Sequence, residues 1–422
     1  MRYLFFLTIL IFSCQNKITL PAKLEPALKL LSVNHADQIS KPTVIMISID
    51  GFRHDYLEKF QPPTLISWAD KGVRAAGLVP SFPSLTFPNH VTLVTGLRPG
   101  HHGIVGNRFY DKERKEFYSI GDLKSVNDGS WYHGTPLWAA AEKEGMLSAT
   151  CFWVGSEAKI GGVDPAYFKT YDEKISNEQR VKWVTEWLNL PEENRPHFIG
   201  LYFSDVDTMG HRFGPISNET KKAVSDIDTE LAKLKMFIEE KKLDVQIIVV
   251  SDHGMKNVEQ TIDLSTIESI KNLKTSGSGA EITFYGENKD EINHTIKEIK
   301  KIQGPFQIYK VGHYPKRWQL DDPNRQGDFL IVGNPGVNIF IEDGSGRKIG
   351  MQKMAGHGWD TAGTTELNGL FIASGSKFKR GLRIKAFDNI HVQPLVTHLL
   401  ELKNLENVDG EFKVLQSTLI GH

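Results

Sequence analysis

Three apolar, β-branched runs that each empty into an acidic turn constrain this chain more than any other feature. Thr43–Ile49 (TVIMISI) leads into Asp50-Gly51, 197–203 (HFIGLYF) into Ser204-Asp205-Val206-Asp207, and Val245–Val250 (VQIIVV) into Ser251-Asp252-His253-Gly254. A strand that is apolar at nearly every position is buried on both faces, as in a parallel sheet covered by helices. Helical patterns at 136–143, Asn177–Leu188 and 220–241 alternate with these runs, and 370–373 is a further candidate strand. The alternation predicts an α/β/α sandwich around a mostly parallel central sheet. Polar residues at the carboxyl ends of such strands lie where open α/β sheets carry their sites. Asp50, Asp207, Asp252 and His253 are therefore expected to converge on one sheet edge.

A second stretch, 80–107 (PSFPSLTFPNHVTLVTGLRPGHHGIVGN), opens as a Pro/Ser-rich loop and passes into a run suited to a helix. Thr86 stands at the change. Its hydroxyl either caps the helix or meets a phosphate beside free backbone N–H groups and the positive dipole end. Asn107 either completes a turn after Gly106 or donates its amide to a phosphate oxygen.

The rest of the chain holds ligand vocabulary for metals. Asp207 and His211 stand four apart, so a helical turn brings both to one ion. Asp252-His253 follows a strand, and His357 lies between glycines in Gly356-His357-Gly358-Trp359-Asp360. Each of these is individually compatible with a buried, hydrogen-bonded histidine. Their joint occurrence points to divalent cations, and a mixed Asp/His set suits zinc better than magnesium. The number of ligands fits two metals sharing substrate oxygens, as used in phosphoryl displacement. A hydroxyl at such a site loses its proton near neutral pH, which would make Thr86 a nucleophile.

Residues 1–14 (MRYLFFLTILIFSC) read as an export signal, too short to favour a spanning helix. Ile11-Phe12-Ser13-Cys14 resembles a lipobox, so Cys14 is expected to carry a lipid anchor, followed by a polar tether over 15–40. The protein is then periplasmic or at the cell surface. Cys151 is the remaining thiol, beside Phe152 and Trp153, and reads as a core residue. A net charge of −1 gives no polyanion-binding surface, so no nucleic-acid polymer is expected as a partner. The catalytic domain is placed at 41–422, with an insertion over 266–350 folded against the main sheet.

Taken together, the strings SIDGFRHDYL from Ser48, the 80–107 stretch, FWVGSE from Phe152, DTMGHRFGP from Asp207, SDHGM from Ser251, GHGWD from Gly356 and GLFIASGSKFKRG from Gly369 resemble the nucleotide pyrophosphatase/phosphodiesterases of the alkaline phosphatase superfamily. They occur in family order from about Thr43 to about Leu402. The resemblance implies the alkaline-phosphatase-like sandwich and two Zn2+ per subunit. It implies one zinc held by Asp50, Thr86, Asp252 and His253, and the other by Asp207, His211 and His357. Thr86 would attack phosphorus to form a nucleotidyl-threonine, with Asn107 completing the oxyanion site. Phe87, Tyr171 and Tyr202 match positions that sandwich a nucleobase. Departures at Ser204, Asp205, Val206, Val154, Trp359 and Thr361 remove no ligand and bear on substrate choice. A lysophospholipid or glycerophosphodiester is the alternative substrate on this fold, and a non-catalytic nucleotide- or metal-binding lipoprotein the alternative of another class. A sulfatase is disfavoured, because Thr86-Phe87-Pro88-Asn89-His90 lacks the C/S-x-P-x-R string that makes formylglycine.

Overall fold

The computed structural model describes residues 33–351, 353–403 and 407–422. The expected export signal, Cys14 and most of the expected tether lie outside these residues. The described end of that tether is docked on the domain. Asn34 is buried, its amide donates to the carbonyls of Glu192 (3.1 Å) and Arg195 (2.8 Å), and its Oδ1 accepts from the Leu147 N–H (2.7 Å).

An eight-stranded sheet forms the centre. In chain order its strands are β1 (Thr43–Ile49), β2 (Val73–Ala75), β3 (Ser148–Cys151), β4 (Tyr167–Lys169), β5 (Phe198–Phe203), β6 (Val245–Val250), β7 (Phe371–Ser374) and β8 (Leu382–Ile384). Their spatial order is β8-β2-β7-β6-β1-β5-β3-β4. The block from β6 to β4 is parallel throughout, and β7 joins it antiparallel. The three apolar runs of the sequence are thus the three central, adjacent strands. Every residue of each is buried.

The period of two along β1 sorts its side chains between two cores. Val44 and Met46 join one core with α2 (Thr86–Thr95), α3 (Leu137–Lys143) and α7 (Val392–Leu399). Ile45, Ile47 and Ile49 join the other, built with α1 (Pro63–Lys71), α4 (Asn177–Leu188) and α6 (Asn218–Lys241). That is the α/β/α sandwich. Local chemistry fixes where the helices begin and end. Ser176 and Ser217 accept hydrogen bonds from the Gln179 and Thr220 N–H groups to cap α4 and α6, and Gly96 ends α2 in the left-handed region at φ 68°.

The region expected as an irregular insertion is itself sheet. Lys274–Gly277, Glu281–Tyr285, Phe329–Gly333 and Phe306–Lys310 make a four-stranded antiparallel sheet, covered by a helix at Lys289–Ile299. Gln260–Asp263, Val337–Glu342 and Lys348–Ile349 make a three-stranded one. Both feed a third apolar core around Ile262, Ile282, Phe284, Ile331 and Ile339.

Candidate active site

The three central strands deliver their following residues to one edge. Asp50 follows β1. Asp207 and His211 lie on α5 (Asp205–Phe213), which starts straight after β5. Asp252 and His253 follow β6. Gly51 lets β1 and α5 approach closely. It has φ 67°, and a Cβ there would stand 2.9 Å from Asp207 Cα. His357 arrives from the far side, after the short strand Ala355–Gly356 that pairs with Lys256–Asn257.

The six side chains meet. His253 Nε2 lies 3.1 Å from Asp252 Oδ2 and 3.4 Å from Asp50 Oδ1. His211 Nε2 and His357 Nε2 are 3.0 Å apart, and each is 3.5 Å from Asp207 Oδ1. The rings of His253 and His357 stack at 3.5 Å, so the two groups are neighbours. Thr86, the first residue of α2, places its Oγ1 3.4 Å from His253 Nε2. Thr86 is not the cap of that helix: Leu85 holds the cap position and no side chain bonds there.

Each imidazole is oriented from behind. The Nδ1–H groups of His211, His253 and His357 donate to the backbone carbonyls of Ala355 (2.9 Å), Gly254 (2.8 Å) and Ser84 (2.9 Å). Their Nε2 lone pairs therefore all face the cluster, the arrangement found behind metal-binding histidines. The carboxylates face it as well. Asp50 Oδ1, Asp207 Oδ1 and Asp252 Oδ2 are buried with no hydrogen-bond partner. Lone pairs crowded this way repel one another unless a cation lies between them, so the residues present fit divalent metals.

The electrostatics agree. Burial, then the charges of Asp252 and Asp207, holds the Asp50 carboxyl well above the usual range. Burial would raise Asp252 too, but positive charge at its His253 and His90 neighbours would bring it to about 2, so Asp252 is a carboxylate wherever this cluster carries positive charge. Burial, then His253 and His211, pushes His357 well below the usual histidine range, keeping it neutral.

Asn107 accepts from the Phe87 N–H at the start of α2 (3.0 Å) through its Oδ1. Its amide N–H2 is left for the adjoining cavity of about 210 Å3, which is also lined by Thr86, Asp207, His211, His357 and Lys353. The aromatic trio divides. Phe87 is partly buried against the core, and Tyr171 is half-exposed, with its ring 5.4 Å from Phe152. Tyr202 has a further contact. It is buried, its ring edge meets His90 at 5.1 Å, and its hydroxyl donates to Asp50 Oδ2 at 2.6 Å. Its ring also lies 6.3 Å from that of Tyr171, so the hydroxyl faces a metal-ligand candidate while the ring adjoins the second tyrosine of the trio.

Sequence reading passed over two residues. Ser84 accepts from His357 through its carbonyl, and its hydroxyl accepts from the Gly358 N–H (2.9 Å) and donates to the Trp359 carbonyl (2.8 Å). His90 spans Ser48 Oγ (2.8 Å) and the Thr86 carbonyl (2.9 Å), tying the start of α2 to β1. The four-residue spacing from Thr86 to His90 was the available signal for the second.

The type I phosphodiesterase/nucleotide pyrophosphatase family model matches residues 44–360, which contain every residue of this cluster. The chain belongs to this family. Among relatives in the type I phosphodiesterase family, an uncharacterized pyrophosphatase/phosphodiesterase of Schizosaccharomyces pombe is 31% identical over 388 residues, 88% of this chain and 79% of that protein. Human ectonucleotide pyrophosphatase/phosphodiesterase family member 1 is 30% identical over 381 residues, and the venom phosphodiesterase of Crotalus durissus collilineatus is 31% identical over 386. The match spans 87% of this chain in both cases but 40% and 45% of those longer proteins. Murine ectonucleotide pyrophosphatase/phosphodiesterase 5 superposes with a TM-score of 0.83 at 27% identity, covering 90% of this chain and all of that one. An inactive threonine-to-alanine form of the murine protein, in complex with AMP, matches equally well.

Proposed function

We propose that this chain is an exported, di-zinc nucleotide pyrophosphatase/phosphodiesterase that works through a covalent threonine intermediate and releases a nucleoside monophosphate. The observation carrying this reading is the set of three unpartnered, buried carboxylate oxygens facing three Nε2 atoms beside the Thr86 hydroxyl. Asp50, Thr86, Asp252 and His253 would hold one cation, and Asp207, His211 and His357 the other. Bound there, the cations would supply positive charge for an anionic phosphodiester and lower the threonine hydroxyl's pKa.

Thr86 Oγ1 then attacks phosphorus, and the bond to the leaving-group oxygen breaks as the Thr86–phosphorus bond forms. Water cleaves that second bond and frees Thr86. Asn107 is held by the Phe87 N–H, so its amide donates to a non-bridging oxygen without having to reorganise. Tyr202 keeps Asp50 aligned through its hydroxyl. Phe87, Tyr171 and the ring of Tyr202, which adjoins Tyr171, would supply the aromatic surfaces for a base. The inactive threonine-to-alanine relative bound to AMP supports both the nucleophile type and the product, and the "ecto" and venom names of relatives support export. Lipid anchoring at Cys14 belongs to the same proposal.

The test is a panel on zinc-loaded protein that compares a nucleotide aryl ester with a choline phosphodiester. The expected result is a kcat/KM higher by at least about tenfold for the nucleotide, the discrimination one contacted group can give. A preference for the choline ester would move the assignment to lysophospholipids or glycerophosphodiesters.

A further inference from the structure

The central sheet has two edges, and the metal cluster uses the carboxyl one. At the amino edge the chain enters β1, β3, β5 and β6. Because β7 runs antiparallel, the chain leaves it at this same edge, where Ser374 stands opposite Ile247. Three segments meet there. Residues 375–381 are tied to the start of β6, with Ser376 Oγ donating to Asp244 Oδ1 (2.6 Å). Residues 416–422 lie against that turn. The Ile420 N–H donates to the Lys377 carbonyl, and Lys379 Nζ to the His422 carbonyl, both at 2.9 Å. The described end of the N-terminal chain arrives beside them. The His35 N–H donates to the Gly145 carbonyl (2.8 Å), the adjacent Glu144 accepts from the Lys403 N–H (2.7 Å), and Lys41 pairs with Glu401.

The charges on this part of the edge are unequally committed. Lys377, Arg380 and Lys403 are exposed and make no ion pair among the described residues. The carboxylates beside them are engaged, Asp244 by Ser376 and Gln246, Glu401 by Lys41, and Glu144 by the Lys403 N–H. Glu192 and Glu193 are exposed but stand at the other half of the edge, before β5. The chain's net charge of −1 averages over this separation. Ile420 is 61% exposed, and with Lys377 it lines a cavity of about 490 Å3 walled by Leu399, Leu402 and Leu419.

We propose that this half of the amino edge is a membrane-contact face that rests on anionic phospholipid headgroups. Unpaired cations around an exposed apolar residue suit that layer, where the cations meet lipid phosphate and the isoleucine reaches the acyl boundary. The path of the chain points the same way. Residues 1–32, with the apolar run at 4–12, join the domain at this edge and carry Lys17, Lys23 and Lys29. Any hold on a membrane through that end therefore attaches to this edge and not to the catalytic one. β1 alone, seven residues at about 3.3 Å each, sets the two edges about 20 Å apart. The catalytic cavity then opens away from the supporting bilayer and draws its substrate from solution. Neither the activity proposed above nor acylation of Cys14 is needed for this contact.

The test is co-sedimentation of the full chain with two kinds of vesicle, phosphatidylcholine alone and phosphatidylcholine mixed with phosphatidylglycerol. The ratio of the two partition coefficients reads the preference for anionic lipid. Residues 1–32 carry cations of their own, so variants of the face decide the outcome. At about fivefold per cation near the surface, Lys377→Glu combined with Arg380→Glu should lower the ratio at least about 25-fold. Turnover of a nucleotide aryl ester by that variant should stay at the wild-type level, which separates lost contact from lost folding. Should the double variant not fold, Lys403→Glu, on another segment, should lower the ratio at least about fivefold. A ratio that neither variant changes overturns the proposal, as does a wild-type chain with no preference between the vesicles. A chain that shows the preference but cleaves no nucleotide would support this face and fail the activity reading instead.

Discussion

Two buried carboxyls, one in each half of the molecule, show how different origins of the same perturbation separate a reactive site from a core. Asp50, at the end of β1, is raised by burial and then by two neighbouring carboxylates. Glu281, inside the insertion's four-stranded sheet, is raised to about 8 by burial, opposed only by hydrogen bonds at Ser278 and Thr283. Glu281 resolves its burial by keeping a proton. Asp50 sits among Asp207, Asp252 and three lone-pair-bearing imidazoles, where one proton does not relieve the crowding. Like-charge crowding, and not burial alone, marks the position where a cation is required.

The sharpest way to break this contrast is to remove the nucleophile that the crowded site serves. Thr86→Ala should lower kcat by about a thousandfold or more while leaving zinc content intact, and Thr86→Ser should recover part of it. Steady-state turnover measured beside elemental analysis checks both halves. Next in size, Asn107→Ala should reduce kcat by about 10²–10³-fold, the effect of losing one oxyanion donor. A rise in KM alone would instead make Asn107 a ground-state contact. Tyr202→Phe removes only the hydroxyl that holds Asp50, and zinc affinity by competition with a chelator should weaken about 10–100-fold.

Glu281→Gln should have the smallest effect, and on stability only. The folded carboxyl at about 8 lies above its ordinary value of 4.5, so the folded state holds the extra proton. Its stabilisation is complete below the ordinary value and is lost as pH rises through 8, with a slope of at most about 1.4 kcal/mol per pH unit. Urea midpoints from pH 6 to 9 should therefore fall more steeply in the wild type than in Glu281→Gln.

The central sheet was legible because β1, β5 and β6 are apolar at successive positions, which only a doubly covered strand tolerates. The candidate strand at 370–373 was legible in place, observed as Phe371–Ser374, but not in direction. Antiparallel pairing with β6 depends on the path of the insertion before it. The insertion hid its sheet for the same reason. Its strands are short, and most of their partners lie across long, polar connections. At the site, residues that follow strands directly were readable from the chain alone. Tyr202, Ser84 and His90 were not, since their roles depend on which distant backbone lies behind them. His357 was readable only as a histidine between glycines, and the resemblance to a known family grouped it with Asp207 and His211, because the two-residue strand Ala355–Gly356 before it is too short to show in the sequence.

The most direct test of the central claim is the zinc content of the full chain, purified without a histidine tag and measured by elemental analysis. The account predicts two zinc ions per chain, falling toward one in His357→Ala. A chain that turns over phosphodiesters with essentially no divalent metal bound would contradict it.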